Sequence, residues 1–190
     1  MACEEKENDR KSSVDNKIEE KLLESREIYL WGAVDDESAE KIVKRIIYLD
    51  EAGKGDIKLF LNSPGGVISS GLAIYDAMQA AKSDISTICM GQAASMGAVI
   101  LCAGKKGKRL IWPNARVMIH QPLISSAIYG PATDIQIQAE EMLHIRSRLN
   151  AILVRHSGKS MDVIERDTDR DKFMSAKEAV EYGLADKIVE

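Results

Sequence analysis

The chain is expected to fold as an α/β domain, and three features of the sequence predict it: short runs of β-branched and aromatic residues, amphipathic helical stretches between them, and glycines at their junctions. With 190 residues and 45% hydrophobic content, it is long enough to bury one substantial core, and its length favours one domain over two. The composition divides it into a charged arm over 1–17 and a single domain over 18–190.

Ile18 to Leu23 carries apolar residues at helical spacing over a short stretch. Glu27 to Trp31 reads as a strand, and Glu37 to Ala52 as a helix with Ile42, Val43, Ile46, Ile47 and Leu49 on its inner side. Gly53 and Gly55 punctuate the end of that helix. Ile57 to Leu61 forms the next strand, Asn62 to Gly66 a tight turn, and Val67 to Ala81 a helix. A strand over 85–90 leads into a helix opened by Ser95, and Val117 to His120 is another short strand. The longest helix follows, with Thr133 and Gln136 at capping-box spacing, an apolar face through Ile135, Met142, Leu143, Ile145, Leu149, Ile152 and Leu153, and Gly158 closing it.

A formal charge of −4 argues against a nucleic-acid partner, which usually demands clustered Lys and Arg. Lys105 to Arg109 is the nearest basic run and reads as a solvated hairpin. The three cysteines are odd in number and two lie in apolar runs, which argues against a disulfide framework and fits a reducing cytoplasm. Met1 to Glu27 contains no apolar h-region, and no apolar run approaches the roughly 18 residues of a bilayer span, so neither a secretory signal nor a membrane partner is expected.

Two short runs carry chemistry. In Ile85 to Gly97 a strand breaks into small residues around Ser95, the pattern that lets a chain turn sharply and expose a hydroxyl, although a helix start packed closely on a sheet has the same composition. In Arg116 to Pro122 an apolar strand ends on His120. Of the other histidines, His144 reads as a surface residue and His156 as a cation at a helix C-terminus, so His120 is the best candidate base. A base needs an orienting carboxylate, and Asp167, Asp169 and Asp171 all offer one. Gly65 and Gly66 open a helix and are placed to aim backbone N–H groups at an oxyanion.

Further motifs occur in order along the chain: Asn62-Ser-Pro-Gly-Gly66, Gly91-Gln-Ala-Ala-Ser-Met-Gly-Ala98, Met118-Ile-His-Gln-Pro122, Ala132-Thr-Asp134, Ile164-Glu-Arg-Asp-Thr168, Arg170-Asp-Lys-Phe-Met-Ser-Ala176 and Glu178-Ala-Val-Glu-Tyr-Gly-Leu184. Together they resemble the proteolytic subunit of the Clp protease, the ClpP family, from about Leu22 to the C-terminus. The resemblance implies a crotonase-like α/β fold of repeated ββα units with a projecting handle, a strand and the long helix, at about 122–158. It implies Ser95 as nucleophile, His120 as general base and then acid, Asp171 as orienter, and the amides of Gly66 and Met96 as the oxyanion hole. No metal or organic cofactor is implied in this subunit, since ATP is used by the partner unfoldase. Implied partners are copies of the chain in heptameric rings stacked as a tetradecamer, an AAA+ Clp ATPase of the ClpX, ClpA or ClpC type, and polypeptide substrates.

The sequence departs from the family pattern in three places. Pro122 is followed by Leu123 to Tyr129 without the family's glycine pair, and Pro131 replaces the usual Gln. Lys11 to Lys21 preserves neither of the family's axial-loop segments. Ala80 stands where an aromatic commonly helps form the ATPase docking pocket, while Phe60 keeps an aromatic nearby. Two other readings remain open at this level: a mainly structural or regulatory subunit of a mixed ring that needs a paralogue, and a CoA-binding crotonase enzyme.

Overall fold

The computed structural model describes residues 14–123 and 129–190. The first thirteen residues of the expected arm, and most of the strand expected after Pro122, lie outside the described residues. Residues 14–24 are helical (α1), so positions 14–17, assigned to the arm, already belong to a regular element.

Among the described residues seven strands and six further helices follow. They are β1 (Glu27–Trp31), α2 (Asp36–Ala52), β2 (Ile57–Ser63), α3 (Ile68–Ala80), β3 (Ile85–Ala94), α4 (Met96–Cys102), β4 (Arg109–Ile111), β5 (Arg116–Ile119), α5 (Ala132–Ser157), α6 (Met161–Thr168), β6 (Lys172–Ser175), α7 (Ala176–Tyr182) and β7 (Lys187–Ile188). The sheet runs β1-β2-β3-β4-β7, all pairs parallel. Each βα step therefore returns the chain to the same end of the sheet, which places the helix N-termini after β2 and β3 side by side.

The centre of the sheet is β3, and it is longer than its apolar run predicts. Its first half pairs β4, at Thr87 to Cys89, whereas Gln92 to Ala94 pair β5. That second pairing carries the strand through the small residues up to Ala94 instead of ending it near residue 90. A register shift in β2 between Leu61 and Ser63 lets both halves keep their partners. β6 then adds antiparallel to β5, with Ile119 opposite Lys172.

The core lies between the sheet and its helices. Ile28, Leu30, Leu59 and Leu61 alternate inward and meet Ile42, Ile46 and Leu49 of α2 and the fully buried α4. Ile47 does not join them; it is exposed, because it falls a residue past the inner stripe of α2. The Cys89 and Cys102 thiols sit in this core, and burial pushes both up to about 12, which leaves them inert packing groups.

Two local expectations are corrected. The long helix begins at Ala132, so Thr133 already lies inside it; Pro131 is the N-cap, without a side-chain cap, and Gln136 donates instead to Glu140 at 2.8 Å. The capping boxes stand elsewhere, at Asp35 with Ser38 and Ser175 with Glu178. Lys105 to Arg109 is not a solvated hairpin. Arg109 starts β4 with only 3% exposure, forks onto both Asp186 oxygens at 2.9 and 2.6 Å, and donates to the carbonyls of His156 and Gly183. Lys105 and Lys108 pair with Asp84 and Asp56. Gly158 does close α5, in a left-handed conformation.

Candidate active site

Ser95 occupies the single residue between β3 and α4. It adopts φ 53° and ψ −121°, a combination that an L-residue enters only when its surroundings force it, at a cost of about 1–3 kcal/mol. Three contacts do so. The Ser95 N–H donates to the Met118 carbonyl at 2.9 Å, an extension of the β3–β5 pairing; the Ser95 carbonyl accepts from Ala98 at 3.0 Å and so starts α4; and Gly65 packs directly on the bend. A β-carbon on Gly65 would lie 2.6 Å from the Ser95 Cβ and 2.9 Å from the Met96 nitrogen, so only glycine fits. The small residues at Ala93, Ala94 and Gly97 are a consequence of this bend, and they are the sequence signal for it.

The same β5 strand that holds the Ser95 amide carries His120 just beyond its end. His120 Nε2 and Ser95 Oγ are 2.9 Å apart, and His120 Nδ1 lies 3.2 Å from an Asp171 carboxylate oxygen. With the ring proton on Nδ1, the side that faces the Asp171 carboxylate, the Nε2 lone pair is left for the serine hydroxyl. The imidazole is mostly buried, at 14% exposure of its side chain, while the Asp171 carboxylate faces solvent on its other side.

Of the three carboxylates open from sequence, Asp171 is the one the fold brings to His120. Asp167 accepts from the Tyr182 hydroxyl at 3.0 Å and pairs with Lys172, and Asp169 points towards Arg170 and Arg146. The other histidines stand apart: His144 is exposed on α5, and His156 meets the Tyr75 hydroxyl at 3.1 Å. Burial, reinforced by the positive charges of Arg109 and Arg155, holds the His156 imidazole below its ordinary value. It is thus a packed neutral side chain rather than the helix-end cation its position suggested.

Gly66 and Met96 line the same groove as Ser95. Val34 donates to the Gly65 carbonyl and accepts from Val67, which straps the glycine turn against the loop after β1. Met96 is the first residue of α4, so its N–H has no acceptor within the helix. Among the described residues, no group of three or more His, Cys, Asp or Glu is placed to hold a metal ion.

A groove of about 910 Å³ runs past Ser95 and His120. Ile68, Leu72, Met118, Leu149 and Leu153 make it apolar, and Glu141 and Arg148 of α5 stand at its rim. The sequence assigned no role to Gln121, Thr168 or Asn150, which bond to one another and to the segment before Asp171; Gln121 and Thr168 stood only as members of the ordered motifs, and Asn150 in none.

A strained serine at a strand-to-helix bend, bonded to a histidine that meets a carboxylate, is the arrangement used by hydrolases that work through a serine nucleophile. The family model described as Clp protease matches residues 9–190, and the chain belongs to the Clp protease family. Its fold is accordingly the ClpP/crotonase-like α/β fold, and it is a ClpP-like peptidase. Among the described residues, no helix is long and apolar enough to cross a membrane.

Proposed function

We propose that the chain is a serine endopeptidase subunit in which Ser95 is the nucleophile, His120 the general base and Asp171 its orienter. The observation that carries this reading is the pair of contacts on one imidazole, Ser95 Oγ at 2.9 Å and Asp171 at 3.2 Å. His120 takes the hydroxyl proton as Ser95 Oγ attacks a peptide carbonyl, and Asp171 stabilises the imidazolium that forms. The negative charge on the carbonyl oxygen is met by the Gly66 and Met96 amides, and one such donor is worth roughly 10²- to 10³-fold in rate. His120 then protonates the leaving amine, and water, activated by the same imidazole, releases the acyl group and restores Ser95. The subunit needs no metal or organic cofactor for these steps.

The substrates are short peptides and unfolded polypeptides lying in the apolar groove. By family analogy the subunit works in the cytoplasm in heptameric rings stacked as a tetradecamer, and an AAA+ Clp ATPase of the ClpX, ClpA or ClpC type supplies protein substrates. A serine-directed fluorophosphonate tests the chemistry. The purified chain is expected to be labelled on one residue, and Ser95→Ala to abolish labelling while the native mass is unchanged. Absence of labelling, with and without candidate partner subunits, sinks the reading; labelling only with a partner present favours a subunit dependent on a paralogue.

A further inference from the structure

Asp171 is an exposed carboxylate on a short segment, yet the site requires it to be held against His120. Its side chain is 59% exposed, and it lies between the end of α6 at Thr168 and the start of β6 at Lys172. On the C-terminal side the segment is fixed by the β5–β6 ladder, where Lys172 stands opposite Ile119. On the N-terminal side the fixing residue is Gln121, which directly follows His120. Its backbone N–H donates to the Thr168 carbonyl at 2.6 Å, and its side-chain Nε2 donates to the Asp169 carbonyl at 2.7 Å.

The segment is anchored below as well. Thr168 is completely buried, and its hydroxyl donates to the Ile164 carbonyl at 2.8 Å and approaches the Asn150 side-chain oxygen of α5 at 3.3 Å. The chain around Asp171 is therefore closed by Ile119 on one side and Gln121 on the other, the two neighbours of His120. A shift of this segment would carry Asp171 away from the imidazole, and among the described residues only the His120 contact itself holds the Asp171 side chain.

We propose that Gln121 is a positioning residue, whose side-chain bond to the Asp169 carbonyl sets the place of Asp171 against His120. The backbone bond to Thr168 survives any side-chain change, so substitution at 121 removes one restraint and leaves the other. The role requires no contact between Gln121 and substrate; it acts through Asp171 alone. This inference rests on the serine-peptidase reading above.

The test is a double-mutant cycle read by fluorophosphonate labelling and short-peptide turnover, with Ser95→Ala as the blank. Gln121→Ala is expected to slow labelling and lower kcat about 10- to 100-fold, the range set by ångström-scale misplacement of a catalytic group, with KM little changed. In an Asp171→Asn background the same change should add nothing, because there is no longer a carboxylate to place. Gln121→Glu keeps the length and volume of the side chain without the donor, and it should reproduce the loss where the alanine variant folds poorly. Equal losses with and without Asp171, a change in KM alone, or full activity in Gln121→Glu would overturn the proposal. Failure of the wild-type chain to label above the Ser95→Ala blank would instead strike the serine-peptidase reading itself.

Discussion

Gly65 packs against Ser95 so closely that a β-carbon on the glycine would lie 2.6 Å from the serine's own. The turn after β2 and the bend after β3 thus form one unit, and Gly65 adopts φ 89°, which favours glycine on conformational grounds alone. Position 65 sets how far the Ser95 bend can relax.

Gly65→Ala should therefore damage the site before the fold. The added methyl must push on Ser95, on the Ala94 carbonyl and on the Met96 amide together, and a backbone at positive φ adds strain of about 1–2 kcal/mol. Labelling of Ser95 is expected to fall at least 100-fold, with a loss of melting temperature no larger than this strain implies. A variant that labels normally would show that the bend tolerates displacement.

Much of this was legible in sequence because it is local. The strand and helix periods of β1, α2, β2 and α3 are set by residues a few positions apart, and the small residues around Ser95 and the histidine at the end of an apolar run each report their own backbone. What could not be read depends on pairing at a distance. The extension of β3 to Ala94 exists because β5 pairs there, β4, β6 and β7 are two- to four-residue strands too short to show a period, and the choice of Asp171 over Asp167 and Asp169 follows from the register of β6 on β5. Lys105 to Arg109 misled for the same reason, since the partners that bury Arg109 lie near residues 156 and 183 and at Asp186.

Arg109 and Asp186 give a stability prediction with a pH signature. Burial works to raise the Asp186 carboxyl, but its hydrogen bonds from Arg109, helped by the Gly107 N–H, outweigh it and hold the group below its ordinary value. A carboxyl lowered in the folded state contributes stability that is present above its unfolded pKa and lost as pH falls through the folded one. Arg109→Met should cost about 3–5 kcal/mol near neutral pH, as expected for one partner of a buried pair left uncompensated. The cost should shrink in acid, where Asp186 becomes neutral in the variant; urea midpoints measured against pH check this, and a pH-independent cost would contradict it.

His156 predicts a second, milder dependence. Its imidazole is held low first by burial and then by Arg109 and Arg155, so the native state keeps it neutral while the unfolded chain takes a proton near 6.5. The stability tied to the neutral form is complete above that value and is lost as pH falls through the lower folded value. His156→Gln retains a partner for the Tyr75 hydroxyl and cannot titrate. Between about pH 7 and about pH 5.5 the variant's urea midpoint should fall less than the wild type's; parallel curves would mean that His156 protonates without penalty.

The outer half of α5 predicts assembly. Its apolar face is buried from Leu149 onward, at Leu149, Ile152 and Leu153, but Ile135, Ile137 and Leu143 stay 44%, 59% and 63% exposed. Among the described residues nothing covers these three large apolar side chains, and the stacked rings proposed above would do so if the handle formed by this helix lies between them. Burying a leucine of this kind is worth about 1.5–3 kcal/mol, and a stacked double ring repeats the contact in every subunit. Leu143→Glu places a charge in that contact at a side chain that is 63% exposed in the single subunit. The variant is expected to keep the melting behaviour of an isolated subunit while its native mass drops from the double ring to a single ring or below, read by light scattering. An unchanged mass would remove this face of α5 from the interface.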